Sequence, residues 1–171
     1  MSAVLERSYE RTVRVNAPVR ALYREMDSVD GLVRFLHQID SHEPDPDGKG
    51  ALVHGSIAIG PLSYRITGTL LVERVNPPNG LWVRLRAPSL QMEIEGQFEL
   101  TASAAEETTL RYAATIRSGH ALMRRMRSSL IGVLEEHVDA ATDLAAVRGR
   151  QYAQAARLLS PDMQARDATD G

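Results

Sequence analysis

The chain of 171 residues contains no cysteine, a single tryptophan and two phenylalanines. Without cysteine there are no disulfides, no thiolate metal ligands and no thiol nucleophile, a composition that fits a reducing compartment. Charge of neither sign prevails: 20 Lys and Arg stand against 22 Asp and Glu, a formal net charge of −2. Domains that hold nucleic acid usually carry a clear basic excess, so no nucleic-acid partner is expected. No stretch approaches the ~20 uninterrupted apolar residues of a membrane-spanning helix. The opening Met1-Ser2-Ala3-Val4-Leu5-Glu6-Arg7 also lacks the apolar run of a signal peptide, and a cytoplasmic protein is the expectation. Gly-x-Ser-x-Gly, the P-loop, the dinucleotide fingerprint and His-x-x-x-His are all missing. The histidines at 37, 42, 54, 120 and 137 are scattered. Neither a metal site nor a cofactor is expected.

What is present is periodicity. Residues 8–16 alternate, with Tyr9, Val13 and Val15 on one face and Arg11 interrupting it. Ala17-Pro18 ends this strand and suits the start of a short helix over 19–26. Asp27-Ser28 can cap a second one over 29–36. Six further strands are predicted at 38–43, 51–59, 62–75, 81–86, 90–100 and 108–117. Turns rich in proline, glycine and asparagine separate them, the clearest being Pro44-Asp45-Pro46-Asp47-Gly48-Lys49-Gly50. The long strands are apolar on one face and polar on the other, so the sheet is covered on one side only. At roughly 35 Å, strands of ten or more residues must twist and curl. Residues 122–148 then read as one helix of roughly 40 Å. Met123, Met126, Leu130, Val133, Ala140, Leu144 and Val147 form its apolar stripe, and His137 interrupts it. The order β-α-α-β6-α describes an α+β fold in which a curved antiparallel sheet of about seven strands grips a long C-terminal helix. Residues 1–150 form this single domain. Residues 151–171 are an extension, helix-compatible to Leu159 and then disordered, with Gly149 a place for a kink.

Several segments carry a family resemblance: Val15-Asn16-Ala17-Pro18 before the two short helices, Tyr64-Arg65-Ile66-Thr67-Gly68, Gly96-Gln97-Phe98-Glu99-Leu100, and Thr109-Leu110-Arg111-Tyr112 before the long helix. In this layout the chain resembles the SRPBCC superfamily, which includes START lipid-transfer domains, the birch-pollen-allergen fold and polyketide cyclases. Its look is nearest the CoxG-like branch, named for carbon monoxide dehydrogenase, and the polyketide cyclase branch. Phe35-Leu36-His37-Gln38-Ile39-Asp40 departs from the former, which has a Cys-x-Pro-Gly-like segment there. The resemblance implies a helix-grip fold with a cavity between sheet and long helix that holds a hydrophobic or amphipathic small molecule. It does not choose between carrier, cyclase and assembly factor.

On this reading the cavity is lined by Tyr64, Ile66, Leu85, Met92, Phe98, Tyr112, Met126, Leu130 and His137. His137 is the sharpest candidate, able to hydrogen-bond a ligand oxygen or act as a general base. The plainer alternative is a histidine satisfied by a buried partner. Tyr64 and Tyr112 can offer hydroxyls to a carbonyl, or simply pack. The leading expectation is a non-enzymatic carrier of a lipid, quinone or polyketide-like molecule. A cyclase or dehydratase using His137 with Tyr64 or Tyr112 is the rival, and an accessory factor binding a partner protein the third. Arg117, Arg124, Arg125 and Arg127, with His120 nearby, gather at the start of the long helix, where cations oppose the macrodipole. They can dock on anionic lipid or an acidic partner, or be neutralised by Glu25 or Asp27. Glu93, Glu95 and Glu99 share one polar face and read as solvated. The oligomeric state is left open.

Overall fold

The computed structural model describes residues 4–159. Seven strands form one antiparallel sheet: β1 (Leu5–Val15), β2 (Ile39–Pro44), β3 (Gly50–Ile59), β4 (Leu62–Arg74), β5 (Gly80–Ala87), β6 (Met92–Ala104) and β7 (Glu107–Ser118). The spatial order β1-β7-β6-β5-β4-β3-β2 makes six strands a meander and returns the first to the far edge, beside the last. Helices α1 (Val19–Met26) and α2 (Val29–Val33) follow β1. Helices α3 (Ala121–Arg125) and α4 (Arg127–Leu159) close the chain. Alternation decides which side is wet: on β7, Leu110, Tyr112, Ala114 and Ile116 are buried while the residues between them are partly exposed. The core lies between this concave face, α1, α2 and α4. Among the described residues, no helix is long and apolar enough to cross a membrane.

Three details differ from the periodicity reading. Leu90 does not begin β6; Pro88–Leu90 is a single 3-10 turn, and Gln91 at φ 44° is left-handed, so the strand starts only at Met92. The long helix is not continuous from residue 122. It breaks at Met126 (φ −102°, ψ 32°) and then runs without interruption through Gly149 to Leu159. Its inner face is also rotated: the buried residues are Leu130, Val133, Leu134, His137, Val138, Ala141, Thr142, Ala145 and Gly149, while Ala140, Leu144 and Val147 lie at the flank. A strict three–four alternation drifts by ~20° per seven residues from a straight helix. The spacing of Ala141, Ala145 and Gly149 by fours shows what sets the true face: small residues bring the helix against β1. A Cβ on Gly149 would lie 2.6 Å from Val15 Cγ1 and 2.7 Å from Asn16 N. Gly149 is therefore a contact point, not a kink. The tail expected to be disordered lies outside the described residues.

Arg11, the intruder on the face of β1, bridges that strand to α4. Its guanidinium donates to Asp143 Oδ1 (2.7 Å), Thr142 Oγ1 (3.1 Å) and the Asp139 carbonyl (3.3 Å), and Tyr9 Oη donates to Asp139 Oδ1 (3.1 Å). The outer face of the sheet carries a cross-strand ladder. Glu95 is held by Arg84 and Arg117, Glu93 by Arg86, and Glu99 by Arg111, which also pairs with Glu10. The glutamates read as solvated are ion-paired. The two arginines hold the Glu95 carboxyl below its ordinary range.

Candidate functional site

Tyr112, His137 and Gln38 form a buried relay of polar groups inside the grip. Tyr112 projects inward from β7 and stacks parallel on Phe98, its cross-strand partner on β6, with ring centroids 3.8 Å apart. Its ring leans over Gly96: a Cβ there would sit 2.5 Å from Tyr112 Cε2 and Oη, so the ring can reach α4 only because residue 96 is glycine. The hydroxyl meets His137 Nε2 at 2.7 Å, and His137 Nδ1 meets Gln38 Oε1 at 2.9 Å. An amide oxygen only accepts, so Nδ1 carries the imidazole proton and donates to Gln38, while Nε2 accepts from the tyrosine hydroxyl. Burial pushes the His137 pKa down to about 4, with a smaller contribution from His37, and raises that of Tyr112 above its ordinary value. The pair is neutral at pH 7. A neutral imidazole hydrogen-bonded at both nitrogens is the satisfied buried histidine foreseen as the plainer alternative.

The relay ends at an opening. β2 pairs with β3 only as far as Gly55, with Ser56 N donating to the Gln38 carbonyl, so residues 57–59 form a sheet edge that β2 does not cover. Between that edge and α4 lies a recess of about 170 Å³, lined by His37, Gln38, Ser56, Ile57, Ala58, Ser63, Val133 and Glu136. His37 Nε2 and Glu136 Oε1 stand 3.3 Å apart across it. Gln38 is among the residues lining the recess, and its side-chain oxygen accepts from His137. Gly55 makes this placement possible, because a Cβ there would collide with the Gln38 carbonyl. Larger hollows lie elsewhere, such as one of about 490 Å³ beside Trp82 on the outer sheet face, but none of the residues lining it belongs to the relay.

The expected lining residues fall into two groups. Ile66, Leu85, Met92, Phe98, Tyr112, Leu130 and His137 are at most 3 % exposed. Tyr64 and Met126 are half-buried towards the β3–β4 turn, Tyr64 opposite the recess residue Ile57 and Met126 against Gly60. Tyr112, not Tyr64, is the tyrosine that reaches His137. Gln38 was missed as a site residue; its only signal is a lone amide between Leu36 and Ile39 at the start of a strand. The arginine group divides. Arg117 belongs to the outer ladder, with Glu6 at 2.5 Å and Glu95 at 2.9 Å, while Arg124 and Arg125 lie in the last turn of α3, where cations suit the dipole. Arg127 opens α4. Of the two suggested neutralising acids, Asp27 pairs with Arg74 and Glu25 with Arg148. His120 caps α3, its Nδ1 accepting from Leu122 N. Among the described residues no group of three His, Asp or Glu side chains could hold a metal ion.

No family model and no curated protein matches the chain. Solved structures do. The Zhui aromatase/cyclase from Streptomyces sp. R1128 is 17% identical, covering 89% of this chain and 98% of that one, with a TM-score of 0.68. The di-domain aromatase/cyclase BexL from the BE-7585A biosynthetic pathway is 16% identical over 85% of this chain and 50% of its own (TM-score 0.63). Norcoclaurine synthase from Thalictrum flavum, in complex with dopamine and hydroxybenzaldehyde, is 12% identical over 82% and 87% (TM-score 0.55). At these identities the likeness is one of fold. These are helix-grip structures, and the chain shares their architecture, in keeping with the SRPBCC resemblance of its sequence.

Proposed function

We propose that the chain binds a hydrophobic or amphipathic small molecule between the sheet and α4, admitted through the recess at Gln38 and Glu136. The observation that carries this reading is the double role of Gln38, which connects an opening at the sheet edge to a buried neutral relay. A ligand carbonyl or hydroxyl entering there meets an amide and, behind it, an imidazole. Pockets for drug-sized ligands run to about 300–1,000 Å³. A recess of about 170 Å³ therefore takes the polar end of such a molecule, and the half-buried Tyr64 and Met126 are the residues able to give way to its body. Methionine suits that role because its unbranched side chain re-packs readily. The norcoclaurine synthase and aromatase/cyclase neighbours make a lipid, quinone or aromatic polyketide-like ligand the natural class to try. The cyclase alternative rests on the Tyr112–His137 contact, a hydroxyl beside a neutral base. In its favour is the lowered pKa of His137; against it, both groups lie behind Gln38.

The test is a fluorescence titration with 1-anilinonaphthalene-8-sulfonate, competed by a long-chain fatty acid or an anthraquinone. Saturable binding at one site is expected, weakened at least tenfold by Ala58→Trp on the exposed rim of the recess with the melting temperature unchanged. Equal binding by the variant, or none by the native chain, overturns the proposal. Conversion of a polyketide-like substrate that His137→Leu abolishes while binding persists would favour the cyclase.

A further inference from the structure

Helix α4 outlasts the domain it serves. Gly149 packs on the end of β1 and Tyr152 still lines a small hollow with Ala17, Ala21 and Leu22, after which residues 153–159 are exposed except for the half-buried Ala153. Leu158 and Leu159 are 74% and 76% exposed. This overhang and the outward face behind it carry a divided charge pattern, in which Asp139 and Asp143 hold Tyr9 and Arg11 of β1 and Arg148 lies near Glu25 of α1. Glu135, Glu136, Asp139 and Asp143 are acidic, while from residue 144 to 159 there is no acid and there are three arginines, at 148, 150 and 157.

The spacing is regular. Glu136, Asp143, Arg150 and Arg157 recur every seven residues, a single line along the exposed side of the helix, and Ala140, Val147 and Gln154 lie four residues after the first three of them. Seven residues are nearly two turns, so this charged row follows the outer side of the helix with a drift of only ~20° per repeat, and two helices packed along it would bring their rows together. Along it two acids are followed by two bases. Parallel pairing would set like against like, while antiparallel pairing about a two-fold axis between Ala146 and Val147 sets Arg150 opposite Asp143 and Arg157 opposite Glu136, each pair equidistant from the axis. Ala146 and Val147 at the crossing are small enough for close approach.

We propose that a second copy of this chain docks here, forming a two-fold antiparallel dimer along the outer face of α4. Such an interface uses the same patch twice, as closed symmetric dimers do. Both carboxylates are available: the Glu136 and Asp143 side chains are 64% and 65% exposed, and a carboxylate with one partner, His37 or Arg11, can accept another. Arg150 and Arg157 form no ion pair with any described residue. The grip domains lie on opposite sides of the seam, because each is packed on the inner face of its own helix. The paired stretch, residues 136–157, is roughly 33 Å long at 1.5 Å per residue. One consequence concerns the recess. Glu136 stands on its rim, so Arg157 and Leu158 of the second copy come to lie at its mouth, and each protomer closes the opening of the other. The dimer itself does not depend on the ligand reading.

Sedimentation velocity of the full chain tests it. Native protein at tens of micromolar is expected to sediment as a dimer and to dissociate progressively with salt, since exposed charges are screened. Arg150→Glu/Arg157→Glu makes the seam wholly acidic and Glu136→Arg/Asp143→Arg makes it wholly basic; each variant alone should be monomeric, with the dissociation constant raised at least a hundredfold. An equimolar mixture of the two should restore the dimer as a heterodimer. Unchanged circular dichroism shows that each variant is folded, and recovery in the mixture is independent proof. A native monomer at 100 μM, a dimer surviving in either variant, or a mixture that stays monomeric overturns the proposal.

Discussion

Gly96→Ala tests the construction of the relay at its narrowest point. The added methyl would stand 2.5 Å from Tyr112 Cε2 and Oη and 2.8 Å from Cζ, far inside van der Waals contact. The tyrosine has nowhere to retreat. Phe98 is stacked parallel to it at 3.8 Å, and its hydroxyl is tied to His137 at 2.7 Å. Overpacking a full core costs about 1–3 kcal/mol. A ring displaced far enough to relieve the clash also gives up the hydrogen bond and strands a buried imidazole nitrogen, about 1–3 kcal/mol more. Against this, alanine in a strand interior is favoured over glycine by about 0.5–1 kcal/mol. The expected loss is about 3 kcal/mol, measured as the shift in ΔG from urea denaturation at pH 7. In a Tyr112→Leu background the ring that Gly96 accommodates is gone, and the same Gly96→Ala change should then cost less than about 0.5 kcal/mol. If Gly96→Ala is neutral in the native background, or equally harmful in both, the glycine is not there for the tyrosine and the account of the relay fails.

Two other expectations follow from the same packing. His137 titrates near 4 in the folded chain against 6.5 when unfolded, so between those values the unfolded chain binds more protons and stability rises with pH. Acidifying from pH 6.5 to 4 should cost about 3 kcal/mol through this group, at ~1.4 kcal/mol per pH unit. Urea melts across that window should show a shallower fall for His137→Leu, which begins less stable at pH 7 because the Tyr112 hydroxyl and the Gln38 amide lose their partner; parallel pH curves would refute the assignment. Gly149→Ala probes a sign, since inside an exposed helix this change gains about 1 kcal/mol. Here the methyl meets Val15 and the backbone nitrogen of Asn16, so a net loss of about 1–2 kcal/mol is expected in thermal melts, and a stabilised variant would show that α4 does not pack on β1 through this residue.

How far the sequence could be read depended on whether a feature was local. Strand alternation is local, and every strand was found within a few residues. The same holds for α1, which Pro18 starts, and for α2, where the Ser28 hydroxyl accepts from Gly31 N. The rotation of α4 was not local, because its inner face is chosen by the closest approach to β1 at Ala141, Ala145 and Gly149; bulk hydrophobicity favoured Leu144 and Val147 instead. In the site, His137 stood out as a polar residue on an apolar stripe, and Tyr112 was named beside Tyr64. Nothing within β4 or β7 decides which tyrosine reaches the histidine. That choice is made by Gly96 on β6, a third strand, through the space it leaves. Gln38 was hidden for the same reason: its place beside His137 is set by Gly55 on β3, far along the chain.

The two faces of α4 obey different rules. Inside, charge is excluded and the one titratable side chain is kept neutral by burial and by two hydrogen bonds, so the inner face specifies a position and not a field. Outside, acids and then bases follow one another at seven-residue intervals, the acids contacted from the grip by Arg11 and His37. A helix serving only as the spine of the sheet could have ended soon after Gly149 and Tyr152, which pack on the end of β1 and beside α1. The residues beyond it are mostly exposed, from Tyr152 at 40% to Leu158 and Leu159 at 74% and 76%. The proposed dimer uses the overhang, and the proposed ligand enters beside Gln38. Glu136 is where these two roles meet, since it belongs to both the seam and the rim of the recess.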